Sequence, residues 1–154
     1  MYIFFLSLHS IVRWLVLIAL IYSIYRGFVG WYSKGIFGQT ERRIRQVTGS
    51  LAHVQLLLGV VLYFISPTTE YFMSHFSEAM KIPAISFFGM SHSAAMFIAI
   101  IIITIGSIIS KKAVTDTKKY SRMTIYYSIA LLIILIMIPW SFSPFAQRPL
   151  LRLF

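Results

Sequence analysis

Four apolar runs, each long enough to cross a bilayer, leave little else for this sequence to build. They cover about residues 3–25, 47–65, 84–109 and 123–140. A helix rising 1.5 Å per residue needs about 20 mostly apolar residues to cross a ~30 Å hydrocarbon core, and each run meets or approaches that length. Of 154 residues, 58% are apolar and only 12% are charged, about half the charged share of an ordinary soluble domain. A soluble fold of this length has too little interior to hide so much apolar surface, whereas a bilayer removes the need. The expected architecture is all-α: one domain, 1–154, forming an integral membrane four-helix bundle. The first run starts without a basic stretch or a small-residue cleavage signal, so it reads as a retained span.

The net charge of +10 is the kind of excess that draws a chain to nucleic acid, but its placement argues against that. Arg26, Lys34, Arg42, Arg43 and Arg45 surround the first loop, and Lys111, Lys112, Lys118, Lys119 and Arg122 surround the third. The middle loop has only Lys81, and the tail has Arg148 and Arg152. Basic residues collect on the cytoplasmic side of membrane proteins, which predicts two cytoplasmic loops and both termini on the outer, periplasmic side. Trp31 and Tyr32 suit the inner interfacial belt, and Trp140 suits the outer one. The stretch 40–46 is predicted to begin the second helix before it enters lipid. Segment 67–83, with Glu70, His75, Glu78 and Lys81 among aromatics, is predicted to lie on the membrane surface. The absence of cysteine excludes disulfides, thiolate metal sites and cysteine nucleophiles.

Ionisable residues inside spans are costly and point to function. There are four: His9, Arg13, His53 and His92. The acids Glu41, Glu70, Glu78 and Asp116 fall in loops. With Arg26 and Lys111 marking the inner boundary, His9 and His92 both sit roughly 25–29 Å above it. Measured from Arg45, His53 sits only ~12 Å above it. Two imidazoles at one depth on different helices are candidate axial ligands (metal ligands) of a single haem b, since paired imidazoles suit electron transfer. Gly89, His92, Ala95, Ala99 and Gly106 share a helical face, which leaves room for a porphyrin or serves close helix packing. Arg13 is one turn past His9 on the same face, so its guanidinium reaches the His9 level. It suits a haem propionate, and its alternative is to snorkel to headgroups or bond loop carbonyls. His53 suits a quinone pocket or proton path, or else a bond to a backbone or hydroxyl group of a neighbouring helix. His75 reads as a surface residue. Span hydroxyls such as Ser7, Ser10 and Thr104 read as helix-bonding groups, Met90 and Met96 as packing. No Ser-His-acid set, zinc motif or phosphate loop is present.

The segments H-S-I-V-R-W-L-V-L at His9–Leu17, H-V-Q-L-L-L-G-V-V-L-Y-F-I-S-P at His53–Pro67, Ser91-His92 through Met96, Ala99 and Gly106 to Lys112, and I-P-W at Ile138–Trp140 occur in a familiar order and spacing. Together they resemble a family of small four-helix membrane proteins from Bacteroidota labelled "cytochrome B". The resemblance covers nearly the whole chain. It implies a multi-pass protein of the bacterial inner (cytoplasmic) membrane and haem b as cofactor. The family pattern has Glu-His where this chain has Ser91-His92. That departure removes a carboxylate partner for Arg13 and with it a Glu–Arg switch.

The leading expectation is a haem-b electron-transfer protein, with a quinol as candidate electron partner, His9 and His92 on iron and Arg13 on a propionate. The alternative is a cofactor-free accessory or structural subunit of a larger membrane complex. A third reading is a proton or small-solute path. The expected partners are the lipid bilayer and other membrane subunits, not nucleic acid. A standalone enzyme is less favoured than any of these.

Overall fold

The computed structural model describes residues 1–149 and 151, so Arg152 lies outside the described residues. Six helices follow one another, and no strand occurs among the described residues. They are α1 (Tyr2–Tyr32), α2 (Gln39–Ile65), α3 (Pro67–Ser74), α4 (Phe76–Ala79), α5 (Pro83–Lys111) and α6 (Asp116–Met137). The four long ones, α1, α2, α5 and α6, are each long and apolar enough to span a membrane. This is a multi-pass membrane bundle in which the start of α1 and the end of α6 lie at one end.

Prolines cut the elements. The residue before a proline is driven out of the helical region by the ring. Ser66 before Pro67 is extended at ψ 129° and ends α2, and Ile82 before Pro83 is extended at ψ 106° ahead of α5. Ile138 before Pro139 is extended at ψ 132° and ends α6 at Met137, three residues short of the apolar run. At the other end α2 starts at Gln39, earlier than its apolar run. The amide of Gly38 donates to Glu41 Oε2 at 3.1 Å, and Glu41 also forms an ion pair with Arg26 of α1. Glu41 is therefore buried in the first turn of a helix rather than free in a loop.

The bundle is a ring. α1 packs against α2 and α6, and α5 packs against α2 and, most extensively, α6. α1 and α5 thus stand on one diagonal. Fully buried Leu20, Ala99, Ile103, Met123, Tyr127 and Ala130 fill the centre. Ile18, Leu57, Phe64, Ile98, Leu132 and Ile136 point outward and are half or more exposed. An apolar exterior around a packed interior is what hydrocarbon as solvent demands. Small residues allow the close approaches. A Cβ on Gly30 would overlap the Tyr120 ring, one on Gly106 would overlap Tyr126, and one on Gly89 would overlap Phe72. The small-residue face of α5 is therefore occupied by aromatic neighbours at Gly89 and Gly106. At these two positions the close-packing alternative holds.

Candidate functional site

The end of the bundle that holds the start of α1 and the end of α6 gathers three of the four ionisable residues that the sequence places inside spans. Within α5 the turn Phe87–Ser91 is π-helical and delivers His92 at its close. Such turns insert a residue and recur at functional sites. The Ser93 hydroxyl bonds back to the Phe88 carbonyl at 2.7 Å, five residues earlier. Met137 is the last residue of α6, so its carbonyl has no partner within its own helix. His92 supplies one, with Nδ1 2.8 Å from that oxygen. A carbonyl only accepts, so Nδ1 carries the hydrogen, and Nε2 of the neutral ring holds the lone pair.

On α1, His9 lies within electrostatic reach of His92 and Arg13. Its ring packs on α2, with Cε1 3.4 Å from where a Cβ on Gly59 would stand. Gln55 of α2 donates Nε2 to the His9 carbonyl at 3.0 Å. Three buried polar atoms of this region have no hydrogen-bond partner: Ser7 Oγ, His9 Nδ1 and Gln55 Oε1. Buried polar atoms are ordinarily satisfied, so a group of them at one level marks a place that water or a ligand completes. Aromatic rings stand beside His92. Phe87 and Phe88 stand 5.6 and 6.0 Å from the His92 ring, centroid to centroid. The chain after α6 folds back over this end. Phe145 stacks on Phe87 at 5.9 Å, Arg148 lies over Phe88 at 5.1 Å, and Trp140 meets Trp14 edge-on at 6.2 Å. The Arg13 guanidinium lies 5.7 Å from the Trp14 ring centroid.

Donor chemistry here fits a bis-imidazole haem. His92 is already oriented by a backbone carbonyl, the arrangement that fixes a ligating histidine's tautomer. His9 has an unsatisfied ring nitrogen, and a guanidinium is close by. Grooves of about 310 and 220 Å³ lie elsewhere, one around Arg26 and Glu41 and the other around His53.

His53 is elsewhere. It is exposed on the flank of α2, with Nε2 3.0 Å from Thr104 Oγ1 of α5, twelve residues or about 18 Å along that helix from His92. The hydroxyl partner on a neighbouring helix is one of the expected alternatives. His75 is exposed and stacks on Tyr71 at 4.6 Å. A second polar group, which the sequence reasoning missed, lies toward the end with the basic loops. Ser23 bonds Thr48 at 2.7 Å. Arg45 donates Nη1 to the carbonyl and hydroxyl of Ser107 at 2.6 and 3.1 Å, and Tyr127 donates to the Arg45 carbonyl at 3.1 Å. Arg45 reads as one more loop cation, yet it is buried. Its position eight residues before His53, well inside a helix that starts at Gln39, was the available signal.

Compared with protein-family models, with curated proteins and with solved structures, the chain matches none.

Proposed function

We propose that this chain is a haem-b-binding electron-transfer protein of a bacterial inner membrane, in which His9 and His92 would hold the haem iron. The observation that carries the reading is the meeting of two imidazoles and a guanidinium at a level where Ser7 Oγ, His9 Nδ1 and Gln55 Oε1 lack partners. When bound, a haem b with two imidazole ligands supplies one-electron transfer and leaves no open position for substrate. His92, held by Met137, presents Nε2. Arg13 would hold a propionate, and the aromatic rings of Phe87, Phe88, Trp14 and Trp140 would help to exclude water. The basic loops face the cytoplasm, so the cluster lies near the outer face. The resemblance to the "cytochrome B" family points the same way.

The test is a reduced-minus-oxidised absorption spectrum of the purified protein, with haem quantified per chain. A sharp alpha band at one haem per chain is expected, and His9→Ala with His92→Ala should abolish it. Haem well below one per chain, after expression with excess haem supply, would end the reading.

A second reading is a cofactor-free accessory subunit. In it the small residues of α5 serve close packing, as where Gly89 and Gly106 abut aromatic rings. Colourless protein that co-purifies with a larger membrane assembly, and loses it on Arg13→Leu, would establish it. A continuous proton or solute path gains no support. Between Arg13 and Ser23 the buried positions of α1 are Val16, Leu17 and Leu20.

A further inference from the structure

We propose that the groove around His53 is a lateral binding site for the reduced, hydroxyl-bearing form of a lipid-soluble aromatic ring, a quinol. This deepens the electron-transfer reading, but its test needs no haem, so the two can fail separately. The groove lies between α2 and α5, holds about 220 Å³ and is lined by His53, Leu56, Phe97, Ile100, Ile101, Thr104 and Ile105. Apart from the imidazole and one hydroxyl, every wall is apolar. Phe97, Ile101 and Ile105 are exposed, as are Val54 and Leu57 beside His53. The opening therefore faces hydrocarbon, and a ligand enters from the lipid.

The hydrogen bonds decide which ligand. Thr104 has one hydroxyl hydrogen, and it is donated to the Ile100 carbonyl at 2.7 Å. Its oxygen is then an acceptor for His53, 3.0 Å away, so His53 carries its hydrogen on Nε2. Nδ1 is left with a lone pair, and no described residue donates to it. An acceptor exposed to hydrocarbon is costly until a donor arrives. Water is scarce at this depth, so the donor must come in an apolar molecule. A quinol supplies an O–H on a flat ring that Phe97 and the aliphatic walls can flank. The oxidised quinone offers only carbonyl oxygens. One of these would face the Nδ1 lone pair, while the Thr104 hydrogen is already committed. The site therefore discriminates between two redox forms of one molecule by a single tautomer.

The experiment uses full-length protein with ¹⁵N-labelled histidine in lipid nanodiscs under anaerobic conditions, above the pH at which imidazole is charged. The probes are durohydroquinone, duroquinone and farnesol, and His53→Gln identifies the His53 resonances by their loss. Durohydroquinone is expected to move the Nδ1 resonance upfield, half-saturating at roughly tenfold lower concentration than any effect of duroquinone, the discrimination of about 1.4 kcal/mol that one such bond supports. Thr104→Val removes the acceptor that fixes the tautomer and should erase the preference. An unmoved Nδ1 with durohydroquinone, an equal response to duroquinone, or an equal response to farnesol would each overturn the proposal. Farnesol acting alone would show a site for any membrane alcohol instead.

Discussion

His92 and His53 both bond a neighbouring helix, yet opposite nitrogens do the bonding. His92 is fixed through Nδ1 by a helix-terminal carbonyl, and His53 through Nε2 by a hydroxyl whose own hydrogen is spent elsewhere. Each partner leaves one lone pair in a known place, on Nε2 in one ring and Nδ1 in the other. Residue chemistry also explains the buried Arg45. Its guanidinium meets the Ser107 carbonyl and hydroxyl, and its carbonyl receives the Tyr127 hydroxyl. Tyr127 is fully buried, so Tyr127→Phe removes a hydrogen bond without opening a cavity. It should cost about 1 kcal/mol, read as a lower thermal midpoint in detergent. An unchanged midpoint would mean that the bond is replaced by water.

At the scale of the element, two glycines predict opposite signs. Gly30 of α1 lies against the Tyr120 ring, and that ring is pinned by its hydroxyl bond to the Ile36 carbonyl at 2.9 Å and by Phe37 at 4.8 Å. Gly30→Ala therefore overpacks a contact that cannot retreat, and should destabilise by about 1–3 kcal/mol. A methyl group added at Gly49 of α2 would meet nothing within 4 Å. Gly49→Ala should stabilise by about 0.5–1 kcal/mol, the ordinary gain of alanine over glycine inside a helix. Chemical denaturation of both variants beside the parent checks the pair, and the same sign in both would refute the packing argument. The π-helical turn Phe87–Ser91 belongs to this scale too. It sits between Pro83 and His92 and resets the rotation of α5 just before the residue that the site needs.

The whole bundle separates two polar clusters by an apolar layer. Near the start of α1 and the end of α6 are Ser7, His9, Arg13, Gln55 and His92, and near the basic loops are Ser23, Thr48, Arg45, Ser107 and Tyr127. Leu20, Ala99, Ile103 and Ala130, all fully buried, lie among the residues that fill the core. Ten of the fourteen basic residues gather around the loops of one end, which under the positive-inside rule orients the molecule. The chain has no cysteine, so single introduced cysteines report topology cleanly. A cysteine at Ser33 or Thr117 should be shielded from a membrane-impermeant maleimide in intact cells, and one at Ser77 should react. The reverse pattern would overturn the assigned orientation.

The number of spans, their approximate limits and the helical class were legible in the sequence. Hydrocarbon length, apolar runs and proline positions act locally along the chain, so no long-range contact is needed to see them. His9, Arg13 and His92 could be grouped because depth in a bilayer follows from counting residues at 1.5 Å each. Tertiary structure decided what counting cannot reach. It assigned the tautomers of His92 and His53 through partners forty or more residues away, turned Arg45 inward, and set Glu41 against Arg26. It also filled the small-residue face of α5 with Phe72 and Tyr126. Which neighbour stands opposite a side chain depends on helix rotation and ring order, and those are fixed only when all four helices pack together.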